Sequence, residues 1–209
     1  MGGEAQALSI LEEPQQIHTF LTLCAQQVSD ELARALEHVG PAQRAERPEI
    51  RIGEFVARTV VNQQLSKAAA HAIWERASHA GRLADMDVLS LAEARPDDLL
   101  VSGMSANKVR TIQGIASAET SGLLPTSDLA ETNVGQVVRT LMSLWGVGPW
   151  TCDMALIFYY CLPDVWPLGD VAVQRTFNCL AGPSAHRVDE FRPHRSTLAR
   201  AMWRVADAA

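Results

Sequence analysis

The residues with the clearest capacity for chemistry form a short break between two helical segments, "LWGVGPWTCDM" at 144–154. Gly146 and Gly148 can take backbone angles that other residues avoid, and they allow another backbone to approach closely. Pro149 suits the first position of a helix, where its missing N–H removes no hydrogen bond. The free amides of the glycines and of the new helix would then bind a phosphate. The alternative is that Gly146 caps a helix and that the turn only serves packing.

The segments that must position this turn have apolar residues at helical spacing. The first runs from about residue 15 to the Gly40–Pro41 pair. The others lie near 54–62, 66–78, 132–145, 150–162, 171–182 and 195–207, with short helices between about 86 and 122; Ser105 and Asn107 are candidate caps there. No alternating strand pattern, GxGxxG motif or P-loop occurs. The sequence therefore predicts an all-α fold.

Composition narrows the class of protein. The chain has 209 residues, of which 47% are hydrophobic and 20% charged, as in ordinary globular proteins. It contains no membrane-spanning apolar run and no signal-peptide pattern, which predicts a cytoplasmic location. Its four cysteines stand far apart, so we expect reduced thiols and neither zinc nor an iron–sulfur cluster. A net charge of −6 argues weakly against broad nucleic-acid binding, although one face can still be basic.

Four segments in order resemble the HhH-GPD superfamily of DNA glycosylases, and together they cover about residues 50 to 205. The glycine turn resembles the helix-hairpin-helix motif, at about 132–161, which binds the DNA backbone without reading sequence. The segment "PDVWPLGDVAVQRTF" brings Asp170 to the place of the superfamily's aspartate. "RTVVNQQLSKAAAHAIW" and "FRPHRSTLARAMW" are similar to segments of its 3-methyladenine DNA glycosylase II branch.

The resemblance implies two helical domains flanking an active-site cleft. Residues 1–55 would pack with 171–209, and 56–170 would form the domain that carries the hairpin. It also implies a monomeric DNA glycosylase that hydrolyses the N-glycosidic bond of 3-methyladenine and 7-methylguanine in base-excision repair. Its partner would be double-stranded DNA containing damaged bases, with no membrane, and in a prokaryote the enzyme would be associated with the nucleoid.

By this resemblance Asp170 is the catalytic residue. Breaking the bond between base and deoxyribose builds positive charge on the sugar, which a fixed carboxylate in a dry site stabilises. The same carboxylate can orient or deprotonate the attacking water. An aspartate before "VAVQRTF" is also a typical helix N-cap, and both roles are compatible.

The hairpin also predicts how far the reaction goes. Trp150 stands where bifunctional relatives carry a nucleophilic lysine, and an indole cannot attack the sugar, so we expect base release without strand cleavage. Trp150, Met154 and Trp166 are the candidate base pocket, since aromatic faces attract cationic methylated purines. The alternative is that Trp150 is a core residue. We interpret the other tryptophans mainly as core residues: Trp74, Trp145, Trp166 and Trp203. Trp166 is also a pocket candidate because it closely precedes Asp170.

Further DNA contacts follow from the resemblance. The loop "NQQLS" at 62–66, between two helices, supplies a wedge that enters the duplex. Gln64 is slightly favoured as the wedge over its neighbour Leu65. The alternative is that these polar turn residues cap the second helix. The amides of Gly146, Gly148 and Thr151 would contact a phosphate. The candidate cationic contacts are Lys67, Lys108, Arg110, Arg175 and Arg195; the alternative is that these side chains are solvated, as exposed cations usually are.

No cofactor is expected to be required. The resemblance implies that the main-chain carbonyls of Met142, Leu144 and Val147 hold Na⁺ or K⁺ next to a DNA phosphate. Two other functional classes remain open: a non-catalytic helix-hairpin-helix protein that binds DNA, and a helical protein-interaction domain.

Overall fold

A computed structural model describes residues 13–80 apart from 64 and 66, together with 94–124 and 133–208. Every regular element in these ranges is helical, which confirms the predicted all-α class. The α-helices are α1 (Pro14–Val28), α2 (Asp30–Val39), α3 (Ile52–Asn62), α4 (Lys67–Ala80), α5 (Pro96–Val101), α6 (Ala106–Thr120), α7 (Val134–Ser143), α8 (Pro149–Met154), α9 (Val171–Ala181) and α10 (Arg195–Ala208).

The described residues divide into two compact units. We call 13–47 with 156–208 the terminal unit, and 48–155 the central unit. These bounds differ from the expected domain limits after residues 55 and 170. A limit at 55 would cut α3, and one at 170 would separate Trp166 from Phe177, whose rings pack edge to face at 5.1 Å. Continuous helices and core contacts decide such limits.

The terminal unit contains α1, α2, α9 and α10, and a 3₁₀ helix at Gly182–Phe191 joins the last two. Its first helical segment, predicted as one stretch up to Gly40, is two helices. Ser29 is extended (φ −165°), and its hydroxyl accepts the N–H groups of Glu31 and Leu32 and donates to the Leu180 carbonyl at 2.6 Å. Ser29 therefore ends α1 and caps α2.

In the central unit α3 packs against α6, and α6 presents its first turns to both α3 and the hairpin. Ser105, not Asn107, caps α6, because its hydroxyl accepts the Lys108 N–H at 3.3 Å. The hairpin is formed by α7 and α8, and α8 continues into a π-helical turn at Ala155–Tyr159, where the chain leaves this unit.

Candidate functional site

The glycine turn has the hairpin geometry that its sequence predicts. Asn133 caps α7 by accepting the Gly135 N–H at 2.8 Å, and α7 ends at Ser143. The Val147 N–H donates to the Leu144 carbonyl at 3.1 Å, which closes the turn. Pro149 then starts α8.

The two glycines of the turn serve different purposes. Gly146 has φ +79°, and a Cβ there would lie 2.1 Å from Thr111 Oγ1, so both its conformation and the approach of α6 require glycine. Gly148 has φ −106°, which any residue adopts, and a Cβ would meet no protein atom within 4 Å. Packing among the described residues therefore requires glycine at position 146 but not at position 148.

The start of α8 is built as an open donor site. No side chain caps its first amides, since Gly148 is the N-cap residue. Thr151 lies in the first turn with only 1% of its surface exposed, and its Oγ1 accepts a hydrogen bond from Gln63 Nε2 at 3.0 Å. The Thr151 side chain is thus fixed inside the central unit, while its amide lies in the first turn of α8, where main-chain amides have no acceptor within their own helix.

The candidate base-pocket residues differ in exposure. Trp150 is partly buried in the first turn of α8, and Met154 is buried. Trp166 is buried in the terminal unit against Phe177, which favours a core role over a pocket wall. Trp145 was expected in the core, and that prediction is wrong: it lies in the hairpin turn, is 47% exposed, and stacks under the Arg110 guanidinium at 4.3 Å.

Two of the expected cationic DNA contacts are engaged within the protein. Lys108 Nζ donates to the carbonyls of Val61 (2.9 Å) and Gln63 (2.8 Å), and burial lowers its pKa. Arg195, whose side chain is 12% exposed, pairs with Asp164 at 2.7 Å and with Asp189 at 2.7 Å. Both side chains therefore have partners within the protein, and their contact with the DNA backbone stays a prediction.

Two further expected DNA contacts are exposed. Arg175 is exposed on α9, and Leu65 is 39% exposed in the loop after α3. Gln64 and the side chain of Lys67 lie outside what the structure describes.

Of the carbonyls expected to hold a monovalent cation, those of Met142 and Leu144 lie at the end of α7, and that of Val147 lies in the turn. Met142 is in its last turn, where carbonyls have no partner further along the helix. The Leu144 carbonyl accepts the Val147 N–H and keeps a second lone pair. Oxygen donors at the negative end of a helix suit a small cation, so Met142 and Leu144 fit the expected group, which stays a prediction.

Asp170 is a buried carboxylate at the start of α9, with 7% of its surface exposed. Its Oδ1 accepts the Val173 N–H at 2.9 Å and the Trp203 Nε1–H at 3.2 Å. The first bond is an N-cap; the second comes from α10, 33 residues further along the chain. The carboxylate is therefore oriented by two donors on different helices and lies next to the positive end of a helix.

Sequence reasoning missed Trp203, which it placed in the core. The indole is partly buried, packs against Phe158 with ring centroids 5.4 Å apart, and directs its N–H at Asp170. A buried tryptophan usually finds a partner for its N–H, and that rule was the available signal. The identity of the partner depends on tertiary structure.

Two ionisable groups on α8 are perturbed by burial. Burial raises the pKa of Asp153 from 3.8 to about 6. Burial, and then the Asp153 carboxylate, raises the pKa of the Cys152 thiol to about 11, so this thiol stays protonated at neutral pH.

Among the described residues, no group of three or more His, Cys, Asp or Glu side chains is placed to hold a metal ion. No helix in the described ranges is long and apolar enough to cross a membrane.

Known proteins resemble this chain along most of its length. No family model matches. DNA-3-methyladenine glycosylase 1 of Schizosaccharomyces pombe is 28% identical over 95% of this chain and 93% of that protein. The solved structure of the 3-methyladenine DNA glycosylase of that yeast in complex with abasic DNA matches with a TM-score of 0.76 and 25% identity, over 90% of this chain and 95% of that one. DNA-3-methyladenine glycosidase of Bacillus halodurans shares the fold, with a TM-score of 0.72 at 24% identity over 90% of this chain and 88% of that one.

Proposed function

Because the chain belongs to the HhH-GPD superfamily of DNA glycosylases, in a 3-methyladenine glycosylase branch, we propose that it excises alkylated purines from double-stranded DNA. The substrates would be chiefly 3-methyladenine and 7-methylguanine. The reaction would be monofunctional: the N-glycosidic bond is hydrolysed, the base is released, and the strand is left uncut with an abasic site. This is the first step of base-excision repair.

The observation that carries the proposal is the environment of Asp170. Methylation at N3 or N7 makes the purine cationic, so it leaves as a neutral base and needs no separate general acid. As the C1′–N bond breaks, positive charge moves to the sugar, and a buried carboxylate fixed by Val173 and Trp203 stabilises it without reorganisation. The same carboxylate orients the water that adds to C1′ and accepts its proton.

The hairpin supplies the grip that this reaction needs. The open amides of Gly146, Gly148 and Thr151 bind a backbone phosphate and fix the duplex without reading its sequence. The target nucleotide is flipped out because its C1′ is inaccessible within the stack, and the loop that carries Leu65 fills the gap. Arg110, stacked on Trp145, places one guanidinium beside the turn.

Trp150 and Met154 are the side chains on α8 that would contact the extruded base. An indole attracts a cationic purine more strongly than a neutral one, which favours alkylated substrates. Since position 150 carries no amine, no covalent enzyme–sugar intermediate forms there.

A sodium or potassium ion on the carbonyls of Met142, Leu144 and Val147 would add positive charge beside the same phosphate. The protein would act as a monomer wherever the chromosome lies, in the cytoplasm and at the nucleoid if the source is a prokaryote. Both statements rest on the proposed DNA substrate.

The test is to incubate the protein with randomly methylated DNA and to identify the released bases by mass spectrometry. We expect 3-methyladenine and 7-methylguanine, and strand breaks only after alkali treatment. Breaks without alkali would contradict monofunctional action. Release of deaminated or oxidised bases in place of methylated purines would assign another substrate class.

A further inference from the structure

The first turns of α6 contact both functional parts of the central unit. Thr111 lies against Gly146 in the hairpin turn. Lys108, one turn earlier on the same helix, donates to carbonyls at the end of α3, at Val61 and Gln63. A single helix therefore fixes the hairpin and the end of α3.

The position of Lys108 is unfavourable for its own helix. A cation in the first turn of α6 lies at the positive end of the helix dipole. Its ammonium instead lies at the negative end of α3, where it donates to two carbonyls at 2.9 and 2.8 Å, and burial there lowers the pKa of Lys108. Lys108 therefore stabilises the C-terminal end of α3 and not the helix to which it belongs.

Gln63 completes the connection. Its carbonyl accepts from Lys108, and its side-chain amide donates to Thr151 Oγ1 at 3.0 Å in the first turn of α8. Two residues further on lies the exposed Leu65, whose N–H donates to the Asn62 carbonyl at 3.2 Å. The residue that opens the loop is thus tied to the helix start that carries the phosphate grip.

We infer that Lys108 and Gln63 are positioning residues that set the entry of the Leu65 loop into the duplex relative to the phosphate held by the hairpin. This inference rests on the proposed function. Their hydrogen bonds couple the loop to the hairpin, so that phosphate binding at the hairpin sets where Leu65 enters the duplex. Neither side chain touches the reacting sugar.

The experiment separates backbone binding from duplex entry. The probe is a duplex with a non-cleavable abasic analogue beside 2-aminopurine, whose fluorescence rises when its neighbour is unstacked. Binding affinity, fluorescence at saturation and single-turnover release of 7-methylguanine are measured for the wild type, Lys108→Met and Gln63→Leu. Arg34→Met, at an exposed arginine on α2, is the matched loss of a cation.

We expect Lys108→Met and Gln63→Leu to bind within about twofold of the wild type, because the phosphate donors remain. Fluorescence at saturation should fall toward that of the free duplex, and base release should slow by at least about tenfold, as misplaced groups cost rate more than affinity. Lys108→Arg should restore both signals. The double variant Gln63→Leu, Thr151→Val should release base no more slowly than either single variant, because both changes remove the same hydrogen bond.

Two results would overturn the inference: fluorescence at saturation equal in Lys108→Met and Arg34→Met, or a loss of affinity as large as the loss of release. If Lys108→Met does not fold, Gln63→Leu carries the same test. A wild type that unstacks the probe but releases no methylated base would contradict the proposed function and leave the positioning role in place.

Discussion

The starts of α8 and α9 are the same physical feature used in two ways. At α8, in the central unit, Gly148 leaves the first amides without a side-chain cap. At α9, in the terminal unit, Asp170 fills the same position with its own carboxylate, which accepts the Val173 N–H. An open helix start binds an anion from outside, whereas a filled one holds an anion of the protein in a fixed orientation.

The largest effect is expected from placing a carboxylate at the N-cap of α8. Gly148→Asp has room for its side chain and would cap α8, so the free energy of unfolding should stay the same or rise by up to about 1 kcal/mol. DNA affinity should fall at least about 100-fold, because the new carboxylate occupies the phosphate position and repels phosphate. Urea unfolding and titration with an abasic duplex measure the two. The uncharged Gly148→Asn should lose less affinity, and wild-type binding by Gly148→Asp would refute the assignment.

Gly146 should give the opposite result to Gly148. Gly146→Ala forces a left-handed alanine into Thr111, so the free energy of unfolding should fall by about 2 kcal/mol or more. Gly114→Ala on the exposed side of α6 is the control; it should be neutral or stabilising, since a Cβ there meets no atom within 4 Å. Equal stability of the two variants in urea would contradict a packing role for Gly146.

The orientation of the Asp170 carboxylate at the start of α9 depends on the Trp203 N–H from α10. Trp203→Phe keeps a ring against Phe158 but removes the N–H that donates to Asp170. Losing one hydrogen bond to a charged group should slow base release by about tenfold. Affinity for abasic DNA should change little, because the hairpin is untouched. Trp74→Phe provides a tryptophan control in the central unit; equal rates in the two variants would remove Trp203 from the site.

The smallest effect concerns Asp153 on α8. Its pKa is raised by burial from 3.8 to about 6, so the folded protein retains a proton that the unfolded chain releases, and stability falls as pH rises through this window. Asp153→Asn should match the wild type near pH 4 and exceed it by about 1 kcal/mol above pH 6, with allowance for partial exposure. Thermal unfolding across this range measures the difference. A constant difference at all pH values would contradict the raised pKa.

Local signals in the sequence predicted much of this molecule. The glycines at 146 and 148 with Pro149 placed the hairpin turn, and the last two α-helices begin close to the predicted residues. Ser29 carried a local signal too, since a serine before Asp30 and Glu31 is a typical helix start, but continuous apolar spacing hid the break.

What sequence could not give is the partner of each polar group. Helical spacing identifies a buried face but not the atom that it meets, so Trp203 was interpreted as core. Likewise, nothing local in the sequence indicates that Lys108 meets carbonyls at the end of α3 or that Arg195 meets the carboxylates of Asp164 and Asp189. The apolar pattern of α7 extends to Trp145, but the helix ends at Ser143, so the indole is exposed in the turn.

The most direct measurement compares Asp170→Asn with the wild type on a duplex with one 7-methylguanine, together with affinity for abasic DNA. The wild type should release the base, and Asp170→Asn should be slower by about 10³-fold, since it loses the charge that stabilises the sugar cation. Its affinity should stay within a few-fold, because the hairpin amides are unchanged. Equal release by both proteins, or no release by either with equal binding, would contradict an aspartate-dependent glycosylase.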